Sequence, residues 1–417
     1  MLSMHNSLSW EIKILSNGLT VLFYPRSTGL TAQISVGIKY GSSNDPKDKA
    51  GCAHFLEHMI VGGSQDRIKL HNQIEHLGGC SSLESSDEYT LCTIDIFSGK
   101  IAPASKILSR LLFDTTFEEE KMNLESKVIF NEIAEAADNP RDKAAETLIK
   151  CLFKNHPVRN PVLGSKKTVK QLTLKDIERA HQQHYTPQNM ILIITGKFSA
   201  IDAEAAIGEF QNQTNANLNP KQINNIEKGV PKKASIIQRA GITQAYLSFG
   251  LKTPHVKNPD VPTLDLIDAI LGIGESSRLF VELREKRALT YDFKSINMSG
   301  LDYGYFSVDC AVKTKAVSET QAIIRKELHK LKIDGVNQAE LAKSKNLILG
   351  GIYRSIDSPR ELPRILANME IHFENENALV DYTNIINTIS AQDIIEVAKK
   401  YFEEENYSSV TVLPKKA

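Results

Sequence analysis

The stretches around Ser35-Val36-Gly37-Ile38-Lys39 and Ser248-Phe249-Gly250-Leu251-Lys252 alternate apolar and polar positions with a period of two, which predicts two strands. They also match each other residue type by residue type. A second match closes each half of the chain. Leu172-Thr173, Asp176-Ile177, His184-Tyr185 and Asn189 answer to Ile389-Ser390, Asp393-Ile394, Tyr401-Phe402 and Asn406. In both copies a Thr or Ser stands three residues before an Asp, as a helix N-cap does, and a strand follows, Met190 to Thr195 in one and Ser409 to Leu413 in the other. An internal repeat of nearly half the chain implies two related domains. Strands, then helices, then strands within each half predict the α+β class, each domain a mostly antiparallel or mixed sheet backed by helices. Gln211 to Lys233, rich in Asn, Lys, Gln and Pro and poor in large apolar residues, reads as a linker. The domains are therefore expected at 1–210 and 234–417, joined by 211–233.

Composition narrows the class without naming a function. The 417 residues exceed what one core holds, and with 41% hydrophobic and 24% charged residues the chain needs no metal or disulfide as a staple. A metal here would serve chemistry. Fifty basic and fifty acidic residues cancel, so no global field draws the chain to nucleic acid or to an anionic membrane. Five scattered cysteines with no Cys-x-x-Cys pair fit free thiols in a reducing compartment. The N-terminus lacks the pattern of a secretory or mitochondrial address, and no apolar run approaches the ~18 residues that span a bilayer. The expectation is a cytoplasmic protein without a membrane segment.

Candidate chemistry lies in His54-Phe55-Leu56-Glu57-His58. Lys49 to Val61 contains no Pro and favours a helix, with Gly62-Gly63 as its stop. On a helix, His54 and His58 project from one face and can share a tetrahedral ion, while Glu57 flanks that face without taking a ligand position. This division suits hydrolysis: neutral imidazoles hold zinc, zinc lowers the pKa of water toward ~7, and a carboxylate takes the proton. A catalytic zinc normally takes three protein ligands. Candidates for the third lie on a second helical stretch, Asn123 to Glu135, in which Glu125 and Glu132 share a face. Spacing does not rank Glu125, Glu132 and Glu135. One would be a ligand and another would orient a histidine or a water. His71, His76, His156, His181 and His184 have no partner at ligand spacing and read as ordinary surface or core residues.

With these residues in view, the chain resembles the inverzincin peptidases of the pitrilysin, or M16, family. Besides His54-Phe-Leu-Glu-His58-Met, the likeness runs through Asn17-Gly18-Leu19, Gly78-Gly79, Glu88, Val128-Ile129-x-x-Glu132-Ile133 and Asp138-x-Pro140. The resemblance implies one Zn2+ per chain held by His54, His58 and Glu132, Glu57 as the catalytic base, and Glu125 as a further carboxylate near the site. In the second half, Ser276-Ser277-Arg278-Leu279-Phe280 and Leu283-Arg284-Glu285-Lys286-x-x-Leu289-x-Tyr291 resemble the family's partner domain. There the resemblance implies that Arg284 and Tyr291 reach the substrate backbone, where a guanidinium and a phenol suit a developing oxyanion. With the offset that aligns Ser35 to Ser248, His54, Glu57 and His58 fall on Ile267, Ile270 and Leu271, so the second copy has no metal site.

Two departures stand out. The family's Asn-Ala after Gly-Gly is replaced by Ser82-Leu83, and Ile60-Val-Gly-Gly-Ser64 replaces its usual Phe-Lys-Gly-Thr. Substrate alignment by strand addition along Cys80 to Ile94 uses main-chain groups and survives the first change. The implied function is zinc-dependent endopeptidase cleavage of peptides or leader segments in an enclosed chamber, of which each chain forms half as a homodimer or with a related subunit. The rival is a non-catalytic or heterodimeric partner subunit.

Overall fold

A computed structural model describes residues 8–114, 116–214, 227 and 234–415. It contains β1 (Glu11–Ile14), β2 (Thr20–Pro25), β3 (Thr31–Ile38), α1 (Cys52–Gly62), α2 (Gln65–His76), β4 (Cys80–Ser85), β5 (Thr90–Phe97), α3 (Ile101–Phe113) and α4 (Glu119–Asp138). There follow α5 (Pro140–Leu152), α6 (Leu174–His184), β6 (Met190–Gly196) and α7 (Ala200–Gln211). The second half repeats the series with β7 (Ala234–Arg239), β8 (Ala245–Lys252), α8 (Val261–Gly272), β9 (Phe293–Ser299), β10 (Gly304–Val312) and α9 (Val317–Ile333). It closes with α10 (Gln338–Asp357), α11 (Leu362–Phe373), α12 (Ala378–Thr388), α13 (Ala391–Tyr401) and β11 (Ser408–Pro414). Both expected N-caps are present as capping boxes, Thr173 with Asp176 and Ser390 with Asp393.

The first sheet has the order β1-β2-β6-β3-β5-β4 and the second β7-β11-β8-β10-β9. Without β1 the two are the same arrangement: β2–β6 and β7–β11 are parallel, and every other neighbouring pair is antiparallel. The α+β repeat expected from the sequence is therefore the observed architecture. Each sheet carries its own buried core, one centred on Ile34, Val36, Phe55 and Leu192, the other on Leu247, Phe249, Ile270 and Phe306.

The compact units do not follow the contiguous halves 1–210 and 234–417. One gathers residues 1–134, 160–222 and 354–380, and the other 135–159, 223–353 and 381–417. Each sheet is thus covered in part by a helix from the far half of the sequence. On the first sheet α11 packs against β6, β3 and β5, and on the second α5 packs against β8, β11 and β10. These two helices hold the same place in the repeat, each following a 20-residue helix, α4 or α10. The glycines of the repeated strand motif lie beneath them. A Cβ at Gly37 would sit 3.5 Å from Ala367 of α11, and one at Gly250 would sit 2.9 Å from Leu148 of α5 and 2.5 Å from the Phe306 carbonyl.

Of the linker stretch 211–233, residues 215–226 and 228–233 lie outside the described residues, and Gln211 closes α7. Glu227 is described. Its carboxylate accepts hydrogen bonds from the amides of Lys154 (2.7 Å), Asn155 (2.7 Å) and His156 (3.0 Å), just beyond α5, and from Lys252 Nζ (3.1 Å). Among the described residues no helix is long and apolar enough to cross a membrane.

Burial alone would raise the Glu227 carboxyl, but the amides and Lys252 outweigh it and bring it down to about 2. A depressed carboxyl stabilises the fold fully above its ordinary value of 4.5 and loses that contribution as pH falls toward 2. Glu227→Gln is expected to lower stability at pH 6 by about 1–3 kcal/mol. Urea unfolding at pH 6 and pH 3 checks it: the gap between wild type and variant should narrow at pH 3.

Candidate metal centre

The helix that carries the histidines is fixed at both ends. Gly51 has φ +96°, and a Cβ there would sit 2.8 Å from the Leu163 carbonyl, so the chain turns into α1 where a larger residue would be strained. Asp45 caps the helix from a distance. Its carboxylate accepts the amides of Gly51 (2.7 Å), Cys52 (3.1 Å) and Ala53 (2.8 Å), donors that have no partner within the helix. At the far end the Gly63 amide donates to the Met59 carbonyl. Between these ends Phe55, Leu56, Met59 and Ile60 are fully buried in the first core, which turns His54, Glu57 and His58 away from it.

His54 and His58 stand one turn apart with ring centroids 4.7 Å from each other. From α4, Glu132 places Oε2 3.6 Å from His54 Nε2 and 3.4 Å from His58 Nε2. That oxygen is buried and has no hydrogen-bond partner. Two turns N-terminal on the same face, Glu125 Oε2 lies 2.9 Å from His58 Nδ1, in hydrogen-bond contact with it. This contact leaves His58 Nε2 free to face Glu132. Gly62 makes room for it, because a Cβ there would lie 2.4 Å from Glu125 Oε1.

A tetrahedral ion with bonds of about 2.1 Å sets its donor atoms about 3.4 Å apart. The observed separations to Glu132 are 3.4 and 3.6 Å. Among the described residues, His54, His58 and Glu132 form the one group of metal-binding side chains whose ligand atoms all lie within 4.8 Å of each other. Burial and then the neighbouring His58 push His54 down to about 4, so its ring is neutral and has a lone pair to give. An unpaired buried carboxylate oxygen facing two imidazole nitrogens fits a zinc ion. Glu135 is not in the group.

Glu57 is held by the edge strand of the sheet. The Ser85 hydroxyl, on the last residue of β4, donates to Glu57 Oε2 at 2.7 Å. Burial raises the Glu57 carboxyl, and the bond from Ser85 opposes that rise. Ser82 of the departing Ser-Leu pair is exposed on β4, and Leu83 packs against the core. In the second unit, Arg284 lies on a π-helical turn, Phe280–Glu285, with its guanidinium 4.5 Å from the ring centre of Tyr291 and 4.8 Å from that of Phe280. Tyr291 is 83% exposed. Four of the other histidines make contacts away from the site: His181 with the Leu112 carbonyl, His184 stacked on Tyr40, His71 with Ser81, and His156 with Asp302.

Sequence reasoning missed Asp45, Ser85 and the steric role of Gly62. Asp45 is recognisable only by its distance from a helix start, and Gly62 already served as a stop signal. For Ser85 the alternation of β4 was the available clue, since it points to the same side as Ser81 and Leu83.

Comparison with known proteins identifies the family of the chain. A family model described as Insulinase (Peptidase family M16) matches residues 21–166, and one described as Peptidase M16 inactive domain matches residues 171–348. The chain is 25% identical to YmxG of Bacillus subtilis, described as an uncharacterized zinc protease, over 95% of this chain and 97% of that one. It is 26% identical to the zinc protease PqqE of Helicobacter pylori, over 97% of this chain and 93% of that one. Among solved structures, a protease from Helicobacter pylori superposes with a TM-score of 0.89 at 24% identity, covering 97% of this chain and 99% of that one. A structure from Pseudomonas fluorescens described as a peptidase M16 inactive domain gives 0.89 at 21% identity, with 98% of each chain covered. In the second half, Ile267, Ile270 and Leu271, which a uniform offset in sequence sets against His54, Glu57 and His58, are fully buried apolar residues of α8.

Zinc titration against a chromophoric chelator tests the centre. His58→Ala and Glu132→Ala are expected to abolish tight binding, and Glu125→Gln to weaken it by about 10- to 100-fold. Gly62→Ala should reproduce the Glu125→Gln effect by displacing that carboxylate.

Proposed function

Because the chain belongs to the M16 peptidase family, we propose that it is a zinc-dependent endopeptidase that cleaves peptides or leader segments. The observation that carries this reading is the convergence of Glu132 of α4 on His54 and His58, which flank Glu57 on α1. One zinc per chain, held by those three residues, would polarise the scissile carbonyl and lower the pKa of water toward ~7. Glu57 takes the proton of the attacking water on its carboxylate and returns it to the leaving amine. Glu125 keeps the tautomer and orientation of His58 through Nδ1 and acts as a positioning residue.

Substrate alignment is assigned to β4. It is an edge strand, paired on one side only with β5, so its other side offers main-chain donors and acceptors to an extended peptide. Such pairing selects unfolded segments, in keeping with hydrolysis inside an enclosed chamber. Arg284 and Tyr291 are assigned the role of donors to substrate and oxyanion, from this chain or from a second subunit. The complete enzyme is proposed to be a dimer, either of two copies or with a related subunit, working in the cytoplasm.

The competing reading is a non-catalytic partner subunit, and the match of residues 171–348 to an inactive domain is the observation in its favour. One experiment separates the two. Purified protein loaded with zinc is assayed on a quenched fluorescent peptide library, beside Glu57→Gln. The enzyme reading expects cleavage by wild type and a loss of at least about 1,000-fold in Glu57→Gln with metal content unchanged. Full metal loading of wild type with no cleavage would support the partner-subunit reading.

A further inference from the structure

We propose that Ser85 is a positioning residue of the peptidase site: its hydroxyl fixes the Glu57 carboxylate in register with the edge strand that receives the substrate. This inference rests on the peptidase reading above. Three observations support it. The first is the bond itself, Ser85 Oγ to Glu57 Oε2 at 2.7 Å, the length of a good hydroxyl-to-carboxylate hydrogen bond. The second is the direction of that proton. Thr90, opposite Ser85 in the β4–β5 register, donates its own hydroxyl proton to the Tyr40 carbonyl at 3.0 Å and stands 3.4 Å from Ser85 Oγ. With its proton committed there, Thr90 could only accept from Ser85, at 3.4 Å, and the carboxylate oxygen at 2.7 Å is the closer and stronger acceptor of the Ser85 proton.

The third is location. Ser85 ends β4, whose outer edge has no strand partner among the described residues, and its side chain points to the α1 side of the sheet. The turn that follows is anchored: Ser86 Oγ donates to the Tyr89 carbonyl at 2.9 Å, Glu88 Oε2 lies 2.7 Å from His372 Nε2 on α11, and the Tyr89 hydroxyl accepts from Asn368 Nδ2 at 3.0 Å. A peptide paired along β4 would take its register from the same strand that holds the base. The hydroxyl thereby joins the Ser85 main chain, which also hydrogen-bonds Glu57, in linking the strand that places the scissile bond to the carboxylate that acts on it. A carboxylate on a flexible two-carbon stem has several rotamers, and a displacement of about 1 Å at a reacting group can cost 100-fold in rate.

The test compares wild type, Ser85→Ala and Ser85→Thr, each loaded with zinc, in steady-state peptide cleavage and in crystal structures. The expected result is a kcat lower by about 10- to 100-fold in Ser85→Ala, KM within about threefold, metal content unchanged, and recovery to within about threefold in Ser85→Thr. In the Ser85→Ala crystal, Glu57 should leave its single rotamer. A kcat for Ser85→Ala within twofold of wild type, or a fall in Ser85→Thr as deep as in Ser85→Ala, overturns the proposal. If Ser85→Ala does not fold, Ser85→Cys replaces it, with its weak donor expected to give a partial loss; full activity in Ser85→Cys overturns the proposal. If wild type does not cleave peptides, it is the peptidase reading that fails. The crystal comparison then decides for Ser85: an unmoved Glu57 in Ser85→Ala rejects the link, and a displaced one supports it.

Discussion

A helix that carries two histidines and a glutamate must be pinned to a sheet by its other residues, or its polar face has no fixed place. Phe55, Leu56, Met59 and Ile60 supply that anchor on α1, each fully buried and each worth about 1.5–3 kcal/mol in burial. Asp45 satisfies the first amides, and Gly51 sets the entry of the chain. Only with the helix so fixed can Glu132 of α4 meet both imidazoles, and only with Gly62 bare can Glu125 come close enough to hold His58. Each of the remaining features of the site refers back to the position of this one helix.

The His54-to-His58 pentad was legible because its geometry is local: a helix fixes the relation of residues three and four apart whatever surrounds it. The two related α+β halves were legible because a repeat leaves matching patterns at matching distances. Glu125 and Glu132 could not be ranked by spacing, since both face the same way on α4. Their difference is tertiary, Glu125 against Nδ1 and Glu132 against Nε2. Asp45 and Ser85 were missed for the same reason, each acting across a gap in sequence that no periodicity describes. The exchange of α5 and α11 was invisible too, because a repeat shows that two helices are equivalent and does not show which sheet each one covers.

The two halves also show how a symmetric fold is made asymmetric. On α8, Ile267, Ile270 and Leu271 are apolar and fully buried, as is most of that helix, so its surface is spent on packing. A link of hydroxyl to carboxylate from edge strand to helix persists there, Ser295 of β9 donating to Asp268 of α8 at 2.5 Å. In that half it joins a strand to a helix that holds no ligands. In the first half a similar connection, from Ser85 of the edge strand, reaches Glu57 beside the candidate metal ligands.

The exchanged helices bear on the order in which the protein can be made. The first sheet and the residues of its metal centre are complete in sequence by residue 196, yet α11, which covers β3, β5 and β6 and ties down the turn after β4, ends at Phe373. A ribosome delivers the chain from its N-terminus, and domains ordinarily fold as they emerge. Here the first unit must wait, with part of its sheet uncovered, until Phe373 has been synthesised. A protein built this way completes the covering of its first sheet only after β7 to β10 of the second have been made.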